Sequence, residues 1–95
     1  MAQKKNNVRR RRVVFEYEAD PGSEVYVAGS FNDWKENAKK LKDQDGEGHF
    51  KATAMIPLGT HEYKFKVSGK WCIDPNNPNI SKNCHGTLNN VLIVE

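Results

Sequence analysis

Apolar and polar residues alternate along most of this chain. Val13, Phe15 and Tyr17 interleave with Val14, Glu16 and Glu18, the period of two that a strand shows when one face is buried. Asp20-Pro21-Gly22 reads as a turn, and Val25 and Val27 mark a second short strand that ends at Gly29. Residues 49–56 put Phe50, Ala52, Ala54 and Ile56 on one face, and Pro57-Leu58-Gly59 breaks that run. The clearest strand is residues 61–67, where Tyr63, Phe65 and Val67 alternate with Glu62, Lys64 and Lys66. Ser68-Gly69 separates it by two residues from residues 70–73, the spacing of a tight hairpin. Residues 74–86 hold Pro75, Pro78 and five Asn or Asp, and read as one long loop. Val91 to Val94 closes the chain as an apolar strand. Helical periodicity is absent over any useful length, and residues 32–41 have room for one or two turns at most. Short strands with Gly and Pro turns predict an all-β sandwich of antiparallel strands.

Length and charge narrow the picture. Ninety-five residues make one domain with a modest core. The formal net charge of +3 is unevenly placed. Residues 1–12 carry Lys4, Lys5 and the run Arg9-Arg10-Arg11-Arg12 with no acid. Residues 13–95 hold nine lysines against twelve acids, a net of −3. The expectation is a disordered basic arm over 1–12 and a folded domain over 13–95. A mildly acidic body argues against nucleic acid as the partner of the fold. No run of about 20 apolar residues predicts a membrane span, and no apolar stretch follows the basic N-terminus as in a secretory signal. Cys72 and Cys84 are too few for a disulfide framework, so the chain reads as cytoplasmic with two free thiols, a single bridge between them being left open.

Catalytic constellations are missing. The sequence holds no GxSxG, HExxH, GxxxxGK[ST] or GxGxxG pattern. Cys72, Cys84 and His85 give the spacing C-x11-C-H, which fits no ordinary zinc site and lacks a fourth ligand. Cys84 and His85 are sequence neighbours, so an extended chain points them to opposite faces. The expectation is a domain without enzymatic activity, cofactor or metal.

Trp34 and Trp71 carry more information. A tryptophan in a small sandwich belongs by default to the core. Here the alternating strands already supply a core, and both tryptophans sit beside turns among polar residues. That makes them candidates for exposed platforms. Exposed rings in small β domains stack on nucleobases, with a basic groove beside them, or on the C–H faces of sugars, with hydroxyl-reading groups around them. The acidic body and the segment Gly86-Thr87-Leu88-Asn89-Asn90 favour the sugar.

Three blocks then coincide with one family. VYVAGSFNDW from Val25 to Trp34, HEYKFKVSGKWCIDPNNP from His61 to Pro78, and GTLNNVLIV from Gly86 to Val94 resemble the family-48 carbohydrate-binding module. This is the glycogen-binding domain of AMP-activated protein kinase β subunits, related to the early-set domains of isoamylases and branching enzymes. The resemblance runs over residues 13–95. It implies an immunoglobulin-like, early-set antiparallel β-sandwich that binds α-1,4-linked glucans such as glycogen or starch without catalysis. The family's binding positions match Trp34, Lys64, Trp71, Thr87 and Asn89. Where the kinase subunits have a leucine before the Gly-Thr pair, this chain has His85, which then stacks or hydrogen-bonds in place of an apolar wedge. The same resemblance implies an alternative role, as a protein-interaction module in an assembly with a protein kinase or a glucan-metabolising enzyme.

Overall fold

The computed structural model describes residues 9–95. Eight strands follow one another: β1 (Arg10–Glu18), β2 (Val25–Gly29), β3 (Lys40–Asp43), β4 (His49–Pro57), β5 (Gly59–Val67), β6 (Lys70–Cys72), β7 (Ile80–Lys82) and β8 (Leu88–Val94). All pairings are antiparallel, in the order β1-β4-β3-β2-β5-β8-β7, with β6 paired to β5. β3 pairs with β2 through Lys40 and Leu41 and with β4 through Lys42 and Asp43. It therefore carries the sheet round from one layer to the other. The result is the all-β sandwich that the alternation implied, of the immunoglobulin-like kind that the family resemblance implied.

The core lies between the layers. Phe15 of β1 and Phe50 and Ile56 of β4 meet Val25 and Val27 of β2, Tyr63 and Phe65 of β5 and Val94 of β8, with Leu41 of β3 at the crossing. Phe15 packs edge-on against Tyr63 and Phe65, with centroids 5.3 and 6.5 Å apart. Apart from Leu41 and Val94, these are the residues that the period of two selected, because a buried face accepts every second side chain and no other.

Two strands escaped the sequence pattern. β3 buries only Leu41 out of Lys40-Leu41-Lys42-Asp43, and one apolar residue makes no period. β7 is the three-residue Ile80-Ser81-Lys82 inside the stretch read as loop, and its pairing with β8 supplies the order that its own sequence lacks. The N-terminal boundary also moves. Of the expected arm, residues 1–8 lie outside the described residues, but Arg10, Arg11 and Arg12 belong to β1 and pair with Pro57, Ile56 and Met55. Backbone pairing needs no apolar side chain, so the ladder runs three residues past the last apolar one. The Arg11 Nε donates to the Glu95 carbonyl at 3.0 Å, fastening the start of β1 to the end of the chain.

The segment after β6 is held by a buried polar cluster. Asn90 is fully buried. Its Oδ1 accepts the Asp74 N–H at 2.6 Å, and its Nδ2 donates to the carbonyls of Asp74 and Asn77 at 3.1 and 3.0 Å. The Tyr63 hydroxyl donates to Asp74 Oδ2 at 2.8 Å and accepts from Asn77 Nδ2 at 3.1 Å. A fully satisfied network of this kind selects one loop conformation, since any other leaves buried groups unpaired.

Replacing Asn90 by Ala removes three hydrogen bonds to buried loop backbone, and urea unfolding should show a loss of about 2–3 kcal/mol. Burial raises the Tyr63 phenol well above its ordinary value of 10.0; the bond from Asn77 opposes this in part, and the Asp74 carboxylate adds to it. The unfolded chain therefore releases this proton before the folded one does. The stability this shift contributes is full below pH 10 and is lost as pH rises through the folded value. Denaturation midpoints followed from pH 8 to about 11 should fall more steeply for the wild type than for Tyr63→Phe.

Candidate functional site

The polar face of β5 is the floor of a surface hollow of roughly 880 Å³. Tyr63 and Phe65 point into the core, so Glu62 and Lys64 point the other way. Around them stand Ser30, Trp34, Trp71, Asn83, His85, Thr87 and Asn89. All six residues singled out from the sequence (Trp34, Lys64, Trp71, His85, Thr87 and Asn89) thus line one hollow. They come from the turn after β2, from β5 and β6, from β8 and from the loop before it.

Trp34 is placed by the end of β2. A Cβ on Gly29 would lie 2.4 Å from the Glu62 carbonyl and 2.9 Å from Tyr63 Cβ, so only glycine lets β2 run this close to β5. A 3-10 turn over Ser30–Asn32 follows. Asn32 Oδ1 accepts the Gly29 N–H at 3.0 Å, and Ser30 Oγ accepts the Glu62 N–H at 3.1 Å. Asp33 and Trp34 then both take φ of 58°, and the Trp34 N–H donates to the Gly29 carbonyl at 2.9 Å. A bulky residue in the left-handed region is strained by of order 1 kcal/mol or more. The turn bears that cost and holds the indole 36% exposed.

Trp71 arrives from the other side. Ser68 and Gly69 have φ of 47° and 89°, both positive, as the two central residues of a tight hairpin turn require. This sets Trp71 of β6 directly opposite Lys66 of β5 and leaves its ring 42% exposed. The two indoles meet edge to face, centroids 6.4 Å apart and planes at 73°. They form an angled apolar wall rather than a flat shelf.

Asn83, which the sequence did not single out, organises the third side. Its Oδ1 accepts the N–H groups of His85 and Thr87 at 2.9 and 3.0 Å, and its Nδ2 donates to Thr87 Oγ1 at 2.6 Å. Gly86, at φ of 82°, completes the reversal. His85 is exposed at the tip of this turn. Asn89 differs from its neighbours in being 6% exposed, with its Nδ2 donating to Glu62 Oε1 at 2.9 Å. That bond fixes which way the amide faces and makes Glu62 a member of the site. Alternation along β5 already placed Glu62 beside Lys64 on the polar face, and this was the signal that could have found it.

The other candidate chemistry stays apart. Cys72 and Cys84 are free thiols. Among the described residues, Cys72, Cys84 and His85 do not gather as metal ligands. The one such group among the described residues is Asp45, Glu47 and His49, all exposed and outside the hollow. It is a turn that satisfies itself. The Glu47 N–H, then His49, hold the Asp45 carboxyl down at about 2, and Asp45 in return raises the His49 imidazole. No helix here is long and apolar enough to cross a membrane among the described residues.

A β-sandwich that shows solvent an open hollow, with an indole wall and a floor of hydrogen-bonding side chains, has the form of a small carbohydrate-binding module. Residues 11–95 match the family described as the glycogen recognition site of AMP-activated protein kinase, and the chain belongs to that family. It is 40% identical over 74 residues to the human 5'-AMP-activated protein kinase subunit beta-1, covering 78% of this chain and 26% of that subunit. The Sus scrofa subunit beta-1 matches at the same identity with 57% of its length covered, and the mouse subunit beta-2 is 36% identical over 77 residues, with 81% of this chain and 27% of that subunit covered. The chain thus spans from about a quarter to somewhat over half the length of these relatives.

Replacing Asn83 by Ala removes three bonds from the turn before β8. Amide hydrogen exchange at His85 and Thr87 should accelerate by about tenfold or more, while the β5–β8 ladder keeps its protection.

Proposed function

We propose that this domain binds α-1,4-linked glucans, glycogen or starch, without performing catalysis. Trp34 and Trp71 offer ring faces to the C–H surfaces of successive glucose units. Lys64 donates to sugar hydroxyls, Thr87 both donates and accepts, and Asn89 accepts through the Oδ1 that its bond to Glu62 leaves free. Glu62 lies beside these groups as a charged acceptor, and hydrogen bonds to an ionised group are roughly twice as strong as neutral ones. His85 at the loop tip closes the far side, where a longer chain would bend over it.

The convergence of the six residues on a single hollow carries this reading. The angle between the indoles supports it further, because an α-1,4-glucan curves and successive rings present faces that are not coplanar. An open site of this kind buries little area, so affinity is modest and grows with chain length. On a branched polymer, several linked modules gain further by avidity.

A second reading is a docking module within a kinase assembly, since the relatives are kinase subunits. It is favoured by Val14 and Met55, 47% and 58% exposed on the outer face of β1 and β4.

Trp71→Ala should abolish retention of the domain in a glycogen-containing native gel while leaving its far-UV spectrum unchanged. Unaltered retention would overturn the glucan reading. Trp34→Ala should weaken maltoheptaose binding by about tenfold or more in a fluorescence titration, which corresponds to losing one stacked face.

A further inference from the structure

Beside Trp71, outside the lining of the hollow, lies an ion pair. Lys66 Nζ is 4.7 Å from the centroid of the Trp71 ring and 2.6 Å from Glu36 Oε1. The Lys66 side chain is only 21% exposed. Neither Lys66 nor Glu36 lines the hollow, whereas Trp71 does. Lys66 is also the register partner of Trp71 across the β5–β6 hairpin, so the ammonium is aimed at the ring by the ladder itself.

From this geometry we propose that Lys66 and Glu36 are positioning residues for glucan binding. Together they form a charged brace that holds the Trp71 ring at its angle and ties the Trp34 segment to the Trp71 hairpin. The inference rests on the glucan reading above and names its control. Lys66 touches no ligand; it acts through the indole. A cation over one face of a tryptophan is attracted to the ring quadrupole. A cation held over one face limits the rotation of the ring and so keeps its angle. Glu36 sits two residues after Trp34 in the connection from β2 to β3, and its carboxylate fixes the ammonium in place. One lysine thereby links both walls of the hollow, since the Trp34 connection is held to β5 by Glu36 and the Trp71 hairpin by the cation.

The consequence is unusual for an uncharged ligand. Binding of a neutral glucan should depend on ionic strength, because salt screens the partly exposed Glu36–Lys66 pair that orients the ring. The dependence should be shallow and should vanish when the lysine charge is removed. A brace also predicts that the conservative exchange keeps function, since arginine stacks on an indole and pairs with a carboxylate at least as well as lysine.

The test uses the domain with maltoheptaose as probe. Lys66→Met, which keeps the apolar stem and removes the charge, should weaken binding about three- to fivefold, the affinity equivalent of one cation–π contact. Lys66→Arg should bind within about twofold of wild type, and Glu36→Gln should fall between the two. Raising sodium chloride from low salt to about 0.5 M should weaken the wild type by about twofold and leave Lys66→Met unchanged. In the ligand-free Trp34→Phe background, where Trp71 is the sole indole, adding Lys66→Met should shift the emission maximum and lower the anisotropy. A Lys66→Met variant that binds like wild type, equal salt slopes for both, or an unmoved Trp71 signal would each overturn the brace. Failure of the glucan reading would look different: Trp71→Ala itself would then bind maltoheptaose like wild type.

Discussion

Strand β5 sets the terms for the rest of the molecule. One face of it, Tyr63 and Phe65, is core, and the other, Glu62, Lys64 and Lys66, is the floor of the hollow and the ion pair beside it. A slip of one residue would exchange these faces, placing charged groups in the sandwich and aromatic rings in solvent. The cost of burying Lys64 or Glu62 unpaired among Phe15, Phe50 and Val27 is several kcal/mol. The hydrophobic effect that closes the sandwich therefore also fixes the address of each polar group in the site. Folding and site assembly are one constraint read from two sides.

Around that strand the loops are set by asparagines. Asn32 closes the turn that presents Trp34, Asn83 closes the turn that presents His85 and Thr87, and Asn90 anchors the long connection after β6. Each uses a side-chain amide in place of a backbone partner, which a loop without a ladder needs if its polar groups are to be satisfied. In the Asn89-Asn90 pair the division of labour is plain, since alternation sends the first toward the hollow and the second into the interior.

The legible part of the sequence was the part governed by burial. Phe15, Phe50, Ile56, Tyr63 and Phe65 were found because a half-buried strand must alternate, and the Ser68-Gly69 turn because it needs positive φ twice. Trp34 and Trp71 stood out as aromatics in polar surroundings that the core had no use for. The three family blocks then implied roles that periodicity could not supply. What escaped were features made by partners distant in sequence. β7 exists because β8 is beside it, β1 starts at Arg10 because β4 extends that far, and Asn83 matters because the chain returns on itself. Glu62 and Lys66 read as solvated strand residues, and only the packed structure puts an amide and an indole against them.

The left-handed backbone at Trp34 has a consequence for how this domain can change. Asparagine is far better tolerated than tryptophan at a φ of 58°, so a Trp34→Asn chain relaxes strain at that point. Selection for thermal endurance alone would thus drift toward erasing the first wall of the hollow, with the sandwich unharmed. The tryptophan found there is thus a residue that the backbone at this point, taken alone, disfavours.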